Sequence, residues 1–145
     1  AAWQHSTEYH VMWRVAFEPG EVKVVARKDG KQVGEQTIRT AGAPHHIVLK
    51  KTYQGTLAFG TSDPTTFVEV QVVDKDGNLC PNADNQIFFS SDAKILGTDN
   101  GCQTSLERFT DPHRKAFFGK CVVVLKGKGT LTAKAVDLQQ AQIQL

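Results

Sequence analysis

The alternation of apolar and polar residues with a period of two constrains this chain more than any other feature. Every second residue from Tyr9 to Phe17 is large and apolar, and the valines in the stretch 68–72 alternate with polar residues. Successive side chains of a β-strand point to opposite faces, so this pattern predicts strands with one buried face. We find no window with a convincing helical period, and the sequence therefore predicts an all-β fold, a sandwich or a barrel.

Turn-forming residues separate the predicted strands. Glu18-Pro19-Gly20-Glu21 fits a type II turn, and Asp29-Gly30 and Asp76-Gly77 are hairpin signals. The first two turns would join strands at 9–17, 22–27 and 31–40 into a three-stranded meander, with Trp13 on its apolar face. Further strands are predicted at 46–50, 66–74, 87–90, 94–97, 116–125, 130–135 and 140–145, with polar, turn-rich chain over 52–64. The strongly apolar stretch 116–125 is expected to be central and covered on both faces.

A junction is predicted at Ala41-Gly42-Ala43-Pro44, where small residues and a proline interrupt the strand pattern. We therefore place a domain boundary there, with one domain over residues 1–43 and a second over 44–145.

Charge and cysteine content exclude several classes of protein. The net charge is +2 and the Lys and Arg residues are scattered, which gives no basic surface for nucleic acid or an anionic membrane. The longest apolar run, Cys121 to Leu125, is far too short to span a bilayer, and no signal peptide opens the chain. Cys80, Cys102 and Cys121 are either three buried or half-buried thiols or, in an oxidising compartment, one bridge and a free thiol.

Two ordered sets of motifs resemble consecutive modules of one enzyme family. The first set resembles a β-sandwich that follows the catalytic barrel in many bacterial β-galactosidases of glycoside hydrolase family 2. The second resembles the C-terminal module of those enzymes, which is similar to invasin-type bacterial immunoglobulin-like domains. The motifs of the first set are His10–Val15, Glu18–Gly20, Arg27–Lys31 and Thr40–Gly42. Those of the second set are Val70–Asn78, Pro81–Asn85, Gly97–Gly101 and Arg114–Gly119.

The resemblance implies a fold and a role for each domain. Residues 44–145 would form an immunoglobulin-like β-sandwich. Residues 1–43 would be the C-terminal part of a truncated sandwich, because in the family more strands precede the one that contains Trp13. The parent chain would be a bacterial β-galactosidase-like hydrolase of the periplasm or cell envelope. This fragment would be its non-catalytic accessory region, bracing or positioning the upstream catalytic domains. The alternatives are a carbohydrate-binding module and an adhesin-type structural module.

No residue is predicted to be catalytic. A retaining glycosidase needs two carboxylates about 5–5.5 Å apart at the mouth of a barrel, which this all-β chain is not expected to build. Most of its glutamates lie beside turns or on predicted solvent faces. They are Glu8, Glu18, Glu21, Glu35, Glu69 and Glu107.

No metal or other cofactor is expected. The adjacent pair His45-His46 would point to opposite faces of a strand, and His5, His10 and His113 lie elsewhere. Asp74-Lys75-Asp76-Gly77-Asn78 superficially resembles a calcium loop, but the twelfth position from Asp74 is Asn85 rather than the required glutamate. We predict a hairpin turn there.

Two polar stretches and four aromatic residues have both structural and functional interpretations. Gly97–Gly101 is predicted to be a structural turn, with a sugar- or ion-binding loop as the alternative. Arg114 and Lys115 are expected to pair with nearby acidic groups. A sugar-stacking platform could include Trp3, Tyr9, Trp13 and Tyr53. Of these, Trp13 is predicted to be core, and Trp3 is the better candidate for exposure.

A three-stranded meander with one apolar face is unstable by itself in water. We therefore expect this face to be covered, either by a second copy in a symmetric dimer, which we favour, or by the second domain.

Overall fold

The computed structural model describes residues 12–56 and 63–145. These residues form ten β-strands and no helix, arranged in three antiparallel sheets, and the predicted all-β class is confirmed. The strands are β1 (Glu21–Lys28), β2 (Lys31–Arg39), β3 (His46–Gly55), β4 (Thr65–Val73), β5 (Gln86–Ser91), β6 (Lys94–Asp99), β7 (His113–Lys115), β8 (Lys120–Lys126), β9 (Thr130–Lys134) and β10 (Ala141–Gln144).

The chain divides into two compact units, Ala1–Thr40 and Ala41–Leu145. In the described part of the first unit, β1 and β2 form a two-stranded hairpin. Asp29 and Gly30 both have positive φ at its turn, 50° and 77°, as a type I′ turn requires. At the open end the backbone N–H of Gly20 donates to Thr40 Oγ1 over 3.0 Å. The assignment of 1–43 and 44–145 to particular modules stays a prediction.

The predicted first strand is wrong where the structure describes it. Residues 12–18 belong to no strand, and residues 9–11 lie outside the described residues. The expected three-stranded meander is therefore a hairpin of two strands, with Gly20 closing its end instead of joining two strands. Alternation gives a segment an apolar face, but a strand also needs a neighbour for its backbone hydrogen bonds. In the described residues β1 and β2 pair only with each other.

The hairpin has one apolar and one charged face. Val22 lies opposite Ile38 in the register, and both are exposed, by 53% and 67%. On the other face Lys23 pairs with Glu35 over 2.7 Å. Trp13 is 47% exposed, so the prediction that it is a core residue is wrong for this chain. The described part of the first unit has only the β1-β2 sheet, so its own unit supplies no second sheet to bury these side chains.

The second unit is a sandwich of two four-stranded sheets, in the orders β3-β4-β8-β6 and β10-β9-β5-β7. Its core lies between the inner faces of the two sheets, and the predicted burial of the alternating valines of β4 is confirmed. The fully buried apolar side chains are Val68, Val70, Val72, Ile87, Val123, Leu125, Leu131 and Ala133.

Two strand predictions differ from the structure. The strand predicted at 46–50 continues to Gly55, with a bulge between Lys51 and Tyr53 that keeps it paired with β4. Tyr53 therefore lies on a strand instead of in a loop. The strand predicted at 116–125 begins only at Lys120, because Phe118 and Gly119 have positive φ and turn the chain. A side chain at Gly119 would place Cβ within 2.3 Å of the Cys80 carbonyl oxygen.

Strand β8 is central in its sheet, as predicted, but it is buried on one face only. Cys121, Val123 and Leu125 are buried, whereas Val122 and Val124 are half-buried. The outer face of this sheet has no covering layer in the described residues, which corrects the expectation of burial on both faces.

The beginning and end of the second unit meet along one side of the sandwich. His46 forms a parallel bridge with Gln139. The Gln139 N–H donates to His45 O over 3.0 Å, and the Ile47 N–H donates to Gln139 O over 3.1 Å. These bonds connect β3 to the segment that leads into β10.

Candidate functional site

The described histidines and the calcium-like loop are not grouped as a metal centre. In the two described ranges no three His, Cys, Asp or Glu side chains are grouped so that they could hold a metal ion. His45 and His46 contact each other through their Nδ1 atoms at 3.1 Å, with the rings edge to face. His5 and His10 lie outside the described residues.

The stretch 74–78 is the predicted turn, and its carboxylate is used to build it. Asp74 is buried and accepts hydrogen bonds from the backbone N–H groups of Gly42, Asp76 and Asn78 at 2.8–2.9 Å. The Gly42 N–H, followed by the Asn78 side chain, holds the pKa of Asp74 well below its ordinary value. Gly77 has the positive φ of a tight turn.

Arg114 anchors the irregular segment between β6 and β7. It is 1% exposed, and its Nη2 donates to the carbonyl oxygens of Thr98 at 2.7 Å and Arg108 at 2.9 Å. Nη1 donates to Glu107 O at 3.3 Å, and the guanidinium lies 5.4 Å from the centre of the Phe109 ring. A charge with this many backbone partners fixes the segment in one conformation.

Glu107 fastens the same segment from the other side. Its carboxylate accepts hydrogen bonds from Gln86 Nε2 at 2.8 Å and from the Lys115 N–H at 3.1 Å, and lies 3.8 Å from Arg114. Burial raises the pKa of Glu107, but these hydrogen bonds and the Arg114 charge outweigh it and lower the pKa overall. Lys115 Nζ pairs with Asp84 at 2.8 Å. The predicted pairing of Arg114 and Lys115 with acidic groups is confirmed.

The glutamates considered for catalysis are dispersed. Glu21 pairs with Arg39, Glu35 with Lys23, and Glu69 with Lys120. No hydrogen bond or ion pair between described residues joins two of the glutamates. Glu8 lies outside the described residues, as do Trp3 and Tyr9.

All three cysteines are free thiols in the structure. Cys80 and Cys121 are buried, and burial raises the pKa of Cys121 to about 12. Cys102 is half-buried, and a hydrogen bond with the Thr104 hydroxyl lowers its pKa.

An open groove lies on the outer face of the β3-β4-β8-β6 sheet and encloses about 240 Å³. Its lining combines two carboxylates, an ammonium group and one valine. The lining residues are Thr52, Glu69, Asp99, Asn100, Lys120, Cys121 and Val122. The groove thus contains residues from all four strands of the sheet or their immediate ends.

The stretch Gly97–Gly101 contributes to one end of this groove. Asp99 Oδ1 accepts hydrogen bonds from the N–H groups of Asn100 at 2.7 Å and Gly101 at 3.2 Å. Asn100 Nδ2 donates to Lys115 O at 2.8 Å. These bonds form the predicted structural turn, and they also hold Asp99 in a fixed position.

Tyr53 follows the groove residue Thr52 on β3, and Phe67 lies two positions before the groove residue Glu69 on β4. They are opposite each other in the register, with ring centres 5.8 Å apart and planes at 81°. Tyr53 is 45% exposed. Of the two candidates for sugar stacking that the structure describes, Trp13 and Tyr53, Tyr53 is the one that neighbours a groove-lining residue, Thr52, in the sequence.

No helix within the described residues has the length and apolarity that crossing a membrane would require.

Comparison with known proteins identifies both parts of the chain. The model of glycoside hydrolase family 2 C-terminal domain 5 matches residues 49–144, and that of a domain of unknown function, DUF4982, matches residues 2–34. Beta-galactosidase BoGH2A of Bacteroides ovatus is 47% identical over 143 residues, which are 94% of this chain and 17% of that enzyme.

Solved structures give the same result. The crystal structure of a beta-glycosidase from Bacteroides vulgatus superposes with a TM-score of 0.82 at 33% identity, over 92% of this chain and 18% of the enzyme. A glycosyl hydrolase family 2 member from Bacteroides cellulosilyticus has a TM-score of 0.79 at 28% identity, over 92% of this chain and 19% of that protein. The chain spans less than a fifth of each of these relatives. It belongs to glycoside hydrolase family 2, of which residues 49–144 are a C-terminal domain.

Proposed function

We propose that this chain is the non-catalytic accessory C-terminal region of a β-galactosidase-like glycoside hydrolase, where it braces or positions the catalytic domains. The observation that carries the proposal is the match to a β-galactosidase over 94% of this chain but only 17% of that enzyme. We also propose a periplasmic or cell-envelope location for the parent enzyme.

The arrangement of carboxylates supports a non-catalytic role. Hydrolysis with retention needs two carboxyl groups about 5–5.5 Å apart on either side of the glycosidic bond. In the described residues each paired glutamate is held by a cation or by backbone N–H groups, as Glu35 is by Lys23 and Glu107 is by Lys115 N–H. Groups committed in this way stabilise a fold and are poorly placed to exchange protons with a substrate.

The hairpin supports the bracing role. Val22, Val24 and Ile38 form an apolar face that is exposed in this chain, opposite a face of ion pairs. A two-stranded hairpin with such a face is marginal in water and gains stability from a covering layer. We propose that the polypeptide preceding this region in the longer parent chain covers it.

The non-catalytic role is tested by assaying the purified chain on a chromogenic β-galactoside. We expect no turnover above the blank. Saturable turnover that survives further purification would contradict the proposal.

The covering of the hairpin is tested in the parent enzyme with two variants on β2. Ile38→Asp places a charge on the apolar face, and Thr37→Asp is the matched control on the opposite face. If preceding polypeptide covers the apolar face, Ile38→Asp lowers the stability of the parent by more than about 2 kcal/mol, whereas Thr37→Asp stays within about 0.5 kcal/mol.

The same variants in the 145-residue chain show whether the apolar face of the hairpin is covered by the rest of the parent chain or by a second copy. If the apolar face is uncovered in the isolated chain, both variants should leave the thermal unfolding temperature nearly unchanged. A large loss for Ile38→Asp in the isolated chain, together with a dimer in light scattering, would indicate a second copy instead.

A further inference from the structure

The groove on the outer sheet face is built around one cross-strand row. Lys50 lies opposite Glu69, Glu69 opposite Val122, and Val122 opposite Asp99. Neighbouring strands are about 4.8 Å apart, so the two carboxylate-bearing residues are separated by about 9–10 Å, with Val122 between them. The row therefore places the apolar side chain of Val122 between two hydrogen-bond acceptors, Glu69 and Asp99.

Each carboxylate is fixed through one oxygen by hydrogen bonds from described residues. Glu69 Oε1 accepts hydrogen bonds from Gln71 Nε2 and from Lys120 Nζ, the latter at 3.3 Å. Asp99 Oδ1 accepts the two N–H groups of its own turn. Among the hydrogen bonds between described residues, none reaches Glu69 Oε2 or Asp99 Oδ2. Both side chains are therefore oriented before any ligand arrives, which lowers the entropic cost of binding.

Charge in the groove comes from two carboxylates, Glu69 and Asp99, and one ammonium group, Lys120. Lys120 Nζ lies 3.3 Å from the Glu69 carboxylate, and Lys50 is opposite Glu69 on the neighbouring strand. The excess of carboxylates in the lining disfavours an anionic ligand, and the polar groups offer hydrogen-bond donors and acceptors to a neutral polyhydroxylated ligand.

Apolar surface continues along the same face. Phe67 precedes Glu69 by two positions on β4, and the half-exposed Tyr53 ring lies against it. Hydrophobic and aromatic walls with a few oriented polar groups are the usual composition of small-molecule sites. The C–H face of a sugar ring suits Val122 and the aromatic pair, and its hydroxyl groups suit the carboxylates and Lys120.

We propose that this groove binds one hexose residue of a neutral saccharide, of the β-galactoside class that the 47% identical relative is named for. Its volume of about 240 Å³ is below the roughly 300–1,000 Å³ of sites for larger ligands, which favours a single ring. The inference goes beyond the accessory role, because a bracing module would function with the groove empty. A negative result here would leave that role intact.

The test is a titration of the isotopically labelled 145-residue chain with methyl β-D-galactopyranoside, followed by amide chemical shifts in NMR. We expect saturable shifts at residues 50–52, 69, 99–101 and 120–122, with a dissociation constant of about 1 mM. Methyl β-D-glucopyranosiduronic acid, which carries a carboxylate, should bind at least tenfold more weakly because of the two acceptor carboxylates.

Two variants make the assignment specific. Glu69→Gln should weaken binding about tenfold, since it replaces a charged acceptor with a neutral one. Asp99→Asn should have a similar effect. The matched control is Glu35→Gln, because Glu35 also accepts a glutamine amide and a lysine, from Gln32 and Lys23, but lies on the hairpin. It should leave the affinity unchanged.

Three results would overturn the proposal. They are the absence of saturable shifts up to about 100 mM ligand, a hundredfold above the expected constant, shifts centred on other residues, and equal affinities in Glu69→Gln and Glu35→Gln. Tighter binding of the glucuronide would reject the neutral class of ligand. The spectra themselves report whether each variant is folded.

Discussion

The hairpin of the first unit and the sandwich of the second contain the same sequence pattern with opposite outcomes. Val22 and Val24 alternate with polar residues on β1 and are 53% and 42% exposed, whereas Val68 and Val70 alternate in the same way on β4 and are fully buried. The difference is that β4 belongs to a unit with two packed sheets, whereas the described part of the unit containing β1 has one sheet of two strands. Alternation therefore creates a face that can be buried, and the rest of the fold decides whether it is.

The largest difference between the two regions is expected from truncating one apolar side chain in each. Leu125→Ala removes a fully buried side chain from the sandwich core and should lower the free energy of unfolding by about 3–5 kcal/mol. Ile38→Ala on the exposed hairpin face should change it by less than about 0.5 kcal/mol. Urea unfolding of the 145-residue chain measures both. Similar losses would mean that the hairpin face is covered in solution.

A smaller difference is expected from one arginine in each region. Arg114→Met leaves the carbonyl oxygens of Thr98 and Arg108 without their donor, and should cost about 3 kcal/mol. Arg39 makes an exposed ion pair with Glu21, and Arg39→Met should cost less than about 1 kcal/mol.

Limited proteolysis tests whether Arg114, unlike Arg39, holds an irregular segment in one conformation. Cleavage between residues 100 and 112 should become faster in Arg114→Met and stay unchanged in Arg39→Met. Unchanged cleavage in both would show that Arg114 does not hold this segment.

The smallest difference is expected in the acid dependence of stability. The folded pKa of Asp74 lies below its unfolded value of about 4, so its contribution is complete above that pH and is lost as the pH falls below it. Asp74→Asn should therefore flatten the decline of unfolding temperature between about pH 5 and pH 2. Glu35, whose pKa is lowered mainly by Lys23, is exposed, and Glu35→Gln should alter this decline much less. Parallel curves for wild type and Asp74→Asn would contradict the role of the turn.

Much of the fold could be predicted from the sequence because it depends on local patterns. The valines of β4 alternate, and Asp76-Gly77 provides the residues that a tight turn requires, so both the strand and its end were predictable. Arg114 could be predicted to form an ion pair, but not to be fully buried, since its burial depends on how the irregular segment before it folds back to offer the carbonyl oxygens of Glu107 and Arg108.

The predictions that are wrong depend on which segments lie next to each other in the fold, and a local pattern does not specify that. The polar surroundings of Tyr53 predict a loop, yet its strand is specified by pairing with Phe67 across the sheet. Trp13 lies in a perfect alternation, and no neighbouring strand is present to pair with that segment in the described residues. Residues 116–119 are apolar but turn the chain at Phe118. In each case the missing information was which segment lies alongside.

The groove illustrates the same limit. Glu69, Asp99 and Lys120 come from three strands and share no spacing in the sequence. Only the register of β4, β6 and β8 brings them together. The stretch Gly97–Gly101, which contains Asp99, could be named as an alternative binding loop, but Glu69 and Lys120 could not be predicted as its neighbours.

The bridge between His46 and Gln139 has a consequence for the order of folding. Strand β3 can pair with β4 as soon as both have left the ribosome, but its contact with Gln139 must wait until nearly the whole unit has been synthesised. Closing contacts of such high sequence separation are slow to form and are the first to be lost when a chain is shortened at its end. The segment around Gln139 thus completes the folding of a unit whose first strand, β3, is synthesised much earlier.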